Sequence, residues 1–282
     1  MTRSLVLALL WLSALRSNAG EITSHNFPVD RLDRDYRYQI YLPDGYDANS
    51  ERVYPVVYLL HGSFSDAGFW SINLDVGTAF DRMIDAGQLP PLIAVMPEAN
   101  SWWIDGRNEP AETAFFKDLL PYIEQRFRAR TDRAGRLVAG VSAGGYATVN
   151  YSLKYPNLFA AGAALSPASY EDLPPEGSTA YLHPAYIDDD EVFDAALWRA
   201  QNYPAFLPAY LKQDTVVPLY INSGDHDGLD IAYHAAVLFQ RLRDHQPEAV
   251  EFRVVDGDHE LSVWQRTFDE AMRYIFGFVE GE

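Results

Sequence analysis

The sequence contains no cysteine. A disulfide framework and a thiolate nucleophile are therefore both excluded, and serine becomes the candidate side chain for nucleophilic chemistry. The absence of disulfides is compatible with export of the chain but does not require it.

Positive charge is scarce. The 282 residues include 22 lysines and arginines against 40 aspartates and glutamates, which gives a formal net charge of −18. A surface of this sign repels phosphate backbones and anionic lipids. We therefore expect no nucleic-acid partner, and we interpret the acidity as a source of solubility or an adaptation to a salty habitat.

The apolar run nearest the N-terminus, Leu5 to Leu15, is too short to span a bilayer. Arg3 precedes it and the small residues Ala19 and Gly20 follow it, which is the order found in a secretory signal. We expect residues 1–20 to be a signal peptide, so the protein is predicted to be periplasmic or secreted, with no stable membrane insertion after cleavage. Cleavage removes two arginines and no acidic residue, which changes the net charge from −18 to −20.

Short apolar runs alternate with helical patterns along the rest of the chain, which favours one α/β domain over residues 21–282. The runs predict a mostly parallel central sheet with helices on both faces. The first two predicted strands, Glu21 to Phe27 and Tyr36 to Leu42, should form an antiparallel edge. The later predicted strands are Val53 to Leu60, Leu92 to Met96, Leu137 to Val141, Phe159 to Leu165, Val216 to Asn222 and Glu251 to Val255.

Two segments depart from this alternation. The helical pattern from Phe116 to Arg128 contains Pro121, which should kink that helix or mark its start. Residues 170–214 contain many prolines and tyrosines and an acidic run, with a helix expected only from about Asp194 to Gln201. We interpret 170–214 as a lid-like insertion over the active site, and the alternative is a solvated segment that never contacts substrate.

A nucleophile elbow lies at Gly140-Val141-Ser142-Ala143-Gly144. It follows a predicted strand and precedes a predicted helix, so the serine stands at the apex of a strand-turn-helix unit. The flanking glycines leave room for a tight turn that holds the serine in a strained backbone conformation. Ser142 is therefore the candidate nucleophile.

A serine hydroxyl needs a base within hydrogen-bond reach, and the base needs an acid that fixes its tautomer. In doubly wound hydrolases these groups follow strand ends in the chain order Ser, Asp or Glu, His. Asp227 and His259 follow the last two predicted strands and are the candidate acid and base. Asp225 and Asp230 compete with Asp227, although Asp225 comes early enough in its turn to cap or brace it.

A metal site is another interpretation of this part of the chain. The residues concerned are Asp225, His226, Asp227, Asp258 and His259, whose carboxylates and imidazoles are suited to zinc or iron. No HExxH or HxxEH spacing is present, and a metal would leave the elbow unexplained. We expect neither a metal nor a cofactor.

Acyl transfer also requires donors for a tetrahedral oxyanion. The backbone N–H of Ala143 directly follows the nucleophile, and the loop after the strand Val53 to Leu60 provides Ser63 as the second predicted donor. His61 is expected to bond within that loop rather than to act in catalysis.

Aromatic side chains cluster near these loops. Five of them are predicted to line a pocket for a planar acyl group or a sugar ring, with core packing as the alternative for part of the set. They are Phe64, Trp102, Trp103, Tyr146 and Trp264.

Six motifs together are specific, although none is specific alone. They are Tyr58-Leu59-Leu60-His61-Gly62, Asn100-Ser101-Trp102-Trp103-Ile104-Asp105, Asp118-Leu119-Leu120-Pro121-Tyr122-Ile123-Glu124, Gly140-Val141-Ser142-Ala143-Gly144-Gly145, Gly224-Asp225-His226-Asp227, and Gly257-Asp258-His259 with Trp264. With them the chain resembles the putative-esterase family of the α/β-hydrolase fold, which includes S-formylglutathione hydrolases, feruloyl and enterochelin esterases and the antigen 85 acyltransferases. The resemblance covers about residues 36–279 apart from the insertion.

The resemblance implies Ser142 as nucleophile, Asp227 as acid, His259 as base, and the N–H groups of Ser63 and Ala143 as oxyanion donors. It implies a serine carboxylesterase that needs no cofactor and acts on a small-molecule or carbohydrate-linked ester. The chain departs from the formylglutathione hydrolases in lacking the cysteine that they tend to carry near the oxyanion loop, and it carries the long insertion. Two alternatives remain: an acyltransferase to a carbohydrate acceptor, and a non-catalytic binding module on the same fold.

Overall fold

One eight-stranded sheet organises the computed structural model, which describes residues 19–48 and 50–279. The strand order is β1-β2-β4-β3-β5-β6-β7-β8. The β1–β2 and β2–β4 pairs are antiparallel, and every pair from β4 across to β8 is parallel. The strands are β1 (Glu21–Phe27), β2 (Tyr36–Leu42), β3 (Val56–Leu60), β4 (Ile93–Pro97), β5 (Arg136–Val141), β6 (Ala161–Leu165), β7 (Leu219–Gly224) and β8 (Val250–Val255).

Helices connect the parallel strands. They are α1 (Phe69–Asn73), α2 (Val76–Asp85), α3 (Ala111–Ala114), α4 (Leu120–Arg126), α5 (Ala143–Lys154), α6 (Ala195–Gln201), α7 (Leu207–Tyr210), α8 (Ile231–Arg243) and α9 (Leu261–Phe276). The mostly parallel α/β architecture predicted from the sequence is confirmed. The predicted signal peptide lies almost wholly outside the described residues.

Alternate residues of the central strands are buried on opposite faces of the sheet. Val57 and Leu59 of β3 belong to the core shared with α2 and α9, whereas Val56, Tyr58 and Leu60 pack with α4 and α5. Because both faces are covered, every residue of β3 to β7 is buried. This is why these strands appear in the sequence as short continuous apolar runs.

The helix around Pro121 begins earlier than its periodicity suggested. A π-helical segment, Phe115–Leu119, joins α3 to α4 just before the proline. A π turn shifts the hydrogen-bond pattern at the point where proline supplies no N–H, so the helix continues through a residue that would otherwise stop it.

Residues 170–214 fold against the sheet's helical layer. The Gln201 carbonyl at the end of α6 accepts hydrogen bonds from the Tyr146 hydroxyl (2.6 Å) and the Asn150 side-chain amide (2.9 Å) of α5. Trp198 stacks on Tyr146 with ring centroids 5.4 Å apart. The insertion is therefore anchored on the helix that follows the elbow, and α6 lies where the sequence predicted a helix.

In the described part of the chain, none of the helices combines the length and apolar character needed to cross a bilayer.

Candidate active site

Ser142 stands at the sharp turn between β5 and α5. Its backbone angles are φ 54° and ψ −115°, a conformation that costs about 1–3 kcal/mol for a non-glycine residue. The turn is tight because backbone segments cross here: a Cβ on Gly140 would lie 2.2 Å from the Gly144 backbone, and one on Gly144 would lie 2.1 Å from the Leu60 carbonyl oxygen. Only glycine fits either position.

A hydrogen-bonded chain joins the three predicted side chains. His259 Nε2 lies 2.9 Å from Ser142 Oγ, and His259 Nδ1 lies 2.8 Å from Asp227 Oδ2. The Asp227 carboxylate is fully buried and also accepts the Leu229 N–H at 3.0 Å. Since a carboxylate only accepts, Nδ1 carries the proton and Nε2 is free to accept from the serine hydroxyl.

The positions of these groups follow from the sheet. Ser142, Asp227 and His259 follow the carboxyl ends of β5, β7 and β8, which lie at one edge because the strands are parallel. Residues 117 and 32 positions apart in the chain, Ser142 with His259 and Asp227 with His259, thus meet within hydrogen-bond distance.

Two other aspartates brace the turns that carry the acid and the base. Asp225 Oδ1 accepts the Gly257 N–H at 3.0 Å, and Asp258 Oδ1 accepts the Gly228 and His259 N–H groups at 3.0 and 2.7 Å. These backbone hydrogen bonds hold the pKa of both carboxyls below the usual range. Asp225 therefore braces the turn, which is the role weighed for it, and Asp227 is the carboxylate that contacts the imidazole.

The structure separates the residues that were considered as a metal site into two groups. Asp227 and His259 belong to the chain that ends at Ser142. Asp225, His226 and Asp256 come close enough to one another to share an ion, but all three are exposed, and His226 Nδ1 bonds to Asp225 at 2.8 Å. Exposed acidic groups of this kind are common without a metal, and the cluster is separate from the serine.

The loop after β3 lies against the nucleophile. A Cβ on Gly62 would be 3.5 Å from the Ser142 Cβ. In the part of the chain that the structure describes, the N–H groups of Ser63 and Ala143 have no hydrogen-bond acceptor. For Ala143 this follows from its place at the first position of α5, where an N–H has no intrahelical partner.

His61 orients this loop from inside. Its Nδ1 bonds to the Gly62 carbonyl at 2.7 Å, and its Nε2 accepts the Ala99 N–H at 3.2 Å. Burial lowers the pKa of His61 to about 4, so the ring is neutral with its proton on Nδ1. Because a trans peptide is planar, a Gly62 carbonyl that faces His61 directs the Ser63 N–H the opposite way. His61 thus bonds within the loop, as expected.

The five predicted pocket aromatics differ in exposure. Phe64 is 64 % exposed, whereas Trp102, Trp103, Tyr146 and Trp264 are buried. Trp264 lies edge-on to the His259 ring, with centroids 5.3 Å apart, and donates its indole N–H to Ser166 Oγ at 3.0 Å. Of the five, only Phe64 presents its ring to solvent. Core packing, the alternative to a pocket, therefore describes most of the set.

His183 is a residue that the sequence does not single out and that the structure places against Phe64 and Trp102. It comes from the insertion, is buried, and packs on Phe64 with ring centroids 4.8 Å apart and on Trp102 at 6.2 Å. Burial lowers the pKa of His183 to about 4. No strand end or motif marks His183 in the sequence, so only the three-dimensional packing of the insertion reveals it.

The elbow geometry predicts the effect of one methyl group. In Gly144→Ala the new Cβ would meet the Leu60 carbonyl oxygen at 2.1 Å, and neither backbone can move aside. We expect the free energy of unfolding in urea to fall by about 3 kcal/mol or more. In the control, Gly228→Ala, the nearest atom is 4.0 Å away, and stability should stay within about 0.5 kcal/mol. Equal stability of the two variants would contradict the crossing described above.

The neutral state of His61 predicts a pH dependence of stability. In the unfolded chain a histidine takes up a proton near pH 6.5, whereas in the folded protein burial lowers the pKa of His61 to about 4. The unfolded state therefore binds more protons, and His61 should cost about 2 kcal/mol of stability as pH falls from 7.5 to 4.5. Urea unfolding at both pH values should show that the free energy of unfolding falls less between pH 7.5 and 4.5 in His61→Gln than in the wild type. A drop in His61→Gln equal to that of the wild type would refute this account of His61.

Comparison with known proteins gives the family. Residues 30–275 match the family model described as putative esterase. Esterase MT1326 of Mycobacterium tuberculosis is 35 % identical over 199 residues, and the match covers 60 % of this chain and 42 % of that protein. The endo-1,4-beta-xylanase/feruloyl esterase of Xylanibacter ruminicola is 28 % identical over 162 residues, and the match covers 54 % of this chain and 22 % of that protein. The chain thus spans less than half the length of these curated relatives.

Solved structures share the fold. A ferulic acid esterase superimposes with a TM-score of 0.78 at 26 % identity, covering 93 % of this chain and 98 % of that one. An S-formylglutathione hydrolase from Staphylococcus aureus superimposes with a TM-score of 0.71 at 18 % identity, covering 91 % and 99 %. The family model spans most of the described residues and the superpositions span almost all of them, so this chain belongs to the putative esterase family and has the α/β-hydrolase fold.

Proposed function

We propose that this chain is a serine carboxylic-ester hydrolase with Ser142 as nucleophile, His259 as general base and Asp227 as the acid that orients the base. The observation that carries the proposal is the continuous hydrogen-bonded chain, 2.9 Å from Ser142 Oγ to His259 Nε2 and 2.8 Å from His259 Nδ1 to Asp227. Membership of the esterase family supports it independently.

In the first half of the proposed reaction, Ser142 Oγ attacks the ester carbonyl carbon while its proton passes to His259 Nε2. The imidazolium that forms is stabilised by the buried Asp227 carboxylate. His259 then gives the proton to the leaving alcohol oxygen as the ester C–O bond breaks, which leaves an acyl group on the serine.

In the second half, His259 takes a proton from water, and the resulting hydroxide adds to the acyl carbonyl. The tetrahedral species collapses, the proton returns to Ser142 Oγ, and the carboxylic acid leaves. In both halves the carbonyl oxygen becomes an anion, and the N–H groups of Ser63 and Ala143 are the proposed donors to it. Each proton in these steps is moved by the chain's own residues or by water, so the proposed reaction requires no cofactor.

The proposed substrate is an ester whose acyl or alcohol part is aromatic or sugar-linked. Phe64 follows the Ser63 donor directly and is the exposed aromatic ring of the loop, with His183 packed against it. A planar group that enters beside Ser142 would meet this ring. A ferulic acid esterase is among the proteins that superimpose on this chain, which agrees with a planar aromatic acyl group.

We also propose that the catalytic domain begins at residue 21 and that residues 1–20 direct its export to the periplasm or medium. The support is the order of basic, apolar and small residues in that segment.

Removal of the nucleophile tests the mechanism. Ser142→Ala should lower turnover of a p-nitrophenyl ester by at least about 10⁴-fold, because no covalent intermediate can form. Labelling by a fluorophosphonate probe should also stop, with the melting temperature nearly unchanged. Ser152→Ala is the matched control, since Ser152 lies on α5 and, among the described residues, its hydroxyl bonds only to the Thr148 carbonyl. Full activity of pure Ser142→Ala would refute the assignment, and a folded wild type that neither reacts with the probe nor turns over esters would favour the binding-module alternative.

Three aspartates in one turn allow the acid to be identified. Asp227→Asn removes the carboxylate on His259 Nδ1 and favours the wrong tautomer, so kcat should fall by about 10³–10⁴-fold. Asp225→Asn, which weakens the bonds of this side chain to the Gly257 N–H and to His226 Nδ1, should lower kcat less than about tenfold. Asp230→Asn, at the N-terminus of α8, should have less effect still. Steady-state kinetics of the three variants tests which aspartate is the acid. A larger loss of kcat in Asp225→Asn than in Asp227→Asn would overturn the assignment.

A further inference from the structure

We propose that Trp102 and Trp103 are positioning residues that clamp the loop His61–Ser63 and thereby fix the direction of the Ser63 N–H. This inference rests on the proposed function, in which that N–H is an oxyanion donor. It gives the two tryptophans a role other than the substrate contact expected from the sequence.

The indole N–H groups carry the argument. Trp103 Nε1 donates to the His61 carbonyl at 3.0 Å, and Trp102 Nε1 donates to Ser63 Oγ at 2.9 Å. The loop is therefore held at both ends, at its first residue through the backbone and at its third through the side chain. Between them, the Gly62 carbonyl is held by His61 Nδ1.

The backbone of the two tryptophans is strained in order to make these bonds. Trp102 and Trp103 have φ values of 52° and 64°, so two consecutive bulky residues occupy the left-handed region. Strain of this kind persists only where the surroundings determine it, and it is concentrated at functional sites. Here it turns two successive indoles toward one loop.

Trp103 is held in place by neighbouring residues, one of which lies on α5, the helix that follows the elbow. The Tyr151 hydroxyl of α5 donates to the Trp103 carbonyl at 2.5 Å. The Trp103 ring packs on His61, with ring centroids 4.9 Å apart. Trp103 is 1 % exposed, so its ring is turned into the protein and not toward a ligand.

The surroundings of Trp102 come largely from the insertion. Its ring makes edge contacts with four aromatic rings at centroid distances of 5.6 to 6.2 Å. Three of these rings belong to residues 170–214, and the fourth belongs to α5; they are His183, Tyr186, Trp198 and Tyr146. The insertion therefore reaches the oxyanion loop through Trp102, which makes it a buttress of the site.

A clamped loop has a catalytic consequence. A donor aimed at the oxyanion before substrate arrives needs no reorganisation during the reaction, and loss of one such donor lowers kcat by about 10²–10³-fold. A donor that is present but less well aimed should cause part of that loss. The effect should fall on kcat, because the oxyanion exists only beyond the ground state.

The test replaces each indole by a phenyl ring, which keeps an aromatic side chain and removes the N–H. We expect Trp103→Phe to lower kcat about 10- to 100-fold and Trp102→Phe about 3- to 10-fold, with KM changed less than about threefold. The factor should be the same for p-nitrophenyl acetate and p-nitrophenyl butyrate. A rise in KM with constant kcat, or a factor that depends on the acyl chain, would show that the tryptophans bind substrate and would overturn the proposal.

Trp70→Phe is the matched control. Trp70 is fully buried in α1, and its indole N–H has no partner among the described residues. The substitution should reduce stability through lost packing and leave kcat within about twofold of the wild type. If all three variants lost kcat in proportion to their melting temperatures, the effect would be general destabilisation, and the clamp would be rejected.

A double-mutant cycle isolates the Trp102 bond. Ser63→Ala removes the hydroxyl acceptor and keeps the backbone N–H, and this small change should not impair folding. If the bond is what matters, Ser63→Ala should reproduce the Trp102→Phe loss, and the double variant should be no worse than the poorer single variant within about twofold. If the loss of kcat in the double variant equalled the product of the two single-variant losses, the role given to that bond would be contradicted.

Deuterium exchange separates this inference from the proposed function. Uptake by a peptide covering residues 61–65 should rise in Trp102→Phe and Trp103→Phe but not in Trp70→Phe, whether or not an ester is turned over. Wild-type turnover and probe labelling test the function alone. Unchanged uptake in both tryptophan variants would overturn the clamp even if the esterase activity is established.

Discussion

The rest of the site depends on the close approach of backbone at the turn between β5 and α5. There the Gly144 Cα faces the Leu60 carbonyl, and Gly140 faces Gly144, with no room for a methyl group. This contact joins β3 to the start of α5, so the loop after β3 and the nucleophile are held at a fixed spacing. The strain at Ser142 persists because strands on both sides determine the turn, with the Ser142 N–H bonded to the Leu165 carbonyl of β6 at 2.9 Å.

Much of this arrangement could be predicted because its causes are local or topological. The glycines around Ser142 are required by one turn, and a parallel sheet necessarily places the ends of β5, β7 and β8 at one edge. Chain order then selected Asp227 and His259, which lie within hydrogen-bond distance of each other. The competing Asp225 was harder to assign, since two residues of the same type in one turn differ only in where the backbone directs them.

The remaining features of the site could not be predicted because the sequence does not give the direction of a side chain. Trp102, Trp103 and Tyr146 were expected at a pocket because their type suits one, but residue type does not give φ, and the positive φ of the two tryptophans turns their rings inward. His183 was passed over because its contacts are made across 119 and 81 residues of sequence, to Phe64 and Trp102. Pro121 was ambiguous because a π turn allows a helix to pass a proline that usually stops one.

The bracing between the last two turns has a consequence for how the protein matures. Asp225 holds the Gly257 N–H and Asp258 holds the Gly228 N–H, so the acid turn and the base turn are completed only when β8 adds to β7. Of the strands in the described residues, β8 comes last, and the nucleophile precedes it by more than one hundred residues. During synthesis on a ribosome, a growing polypeptide would carry its reactive serine without an activating imidazole until β8 and the turn after it have been made, so hydrolytic competence would appear well after the nucleophile itself.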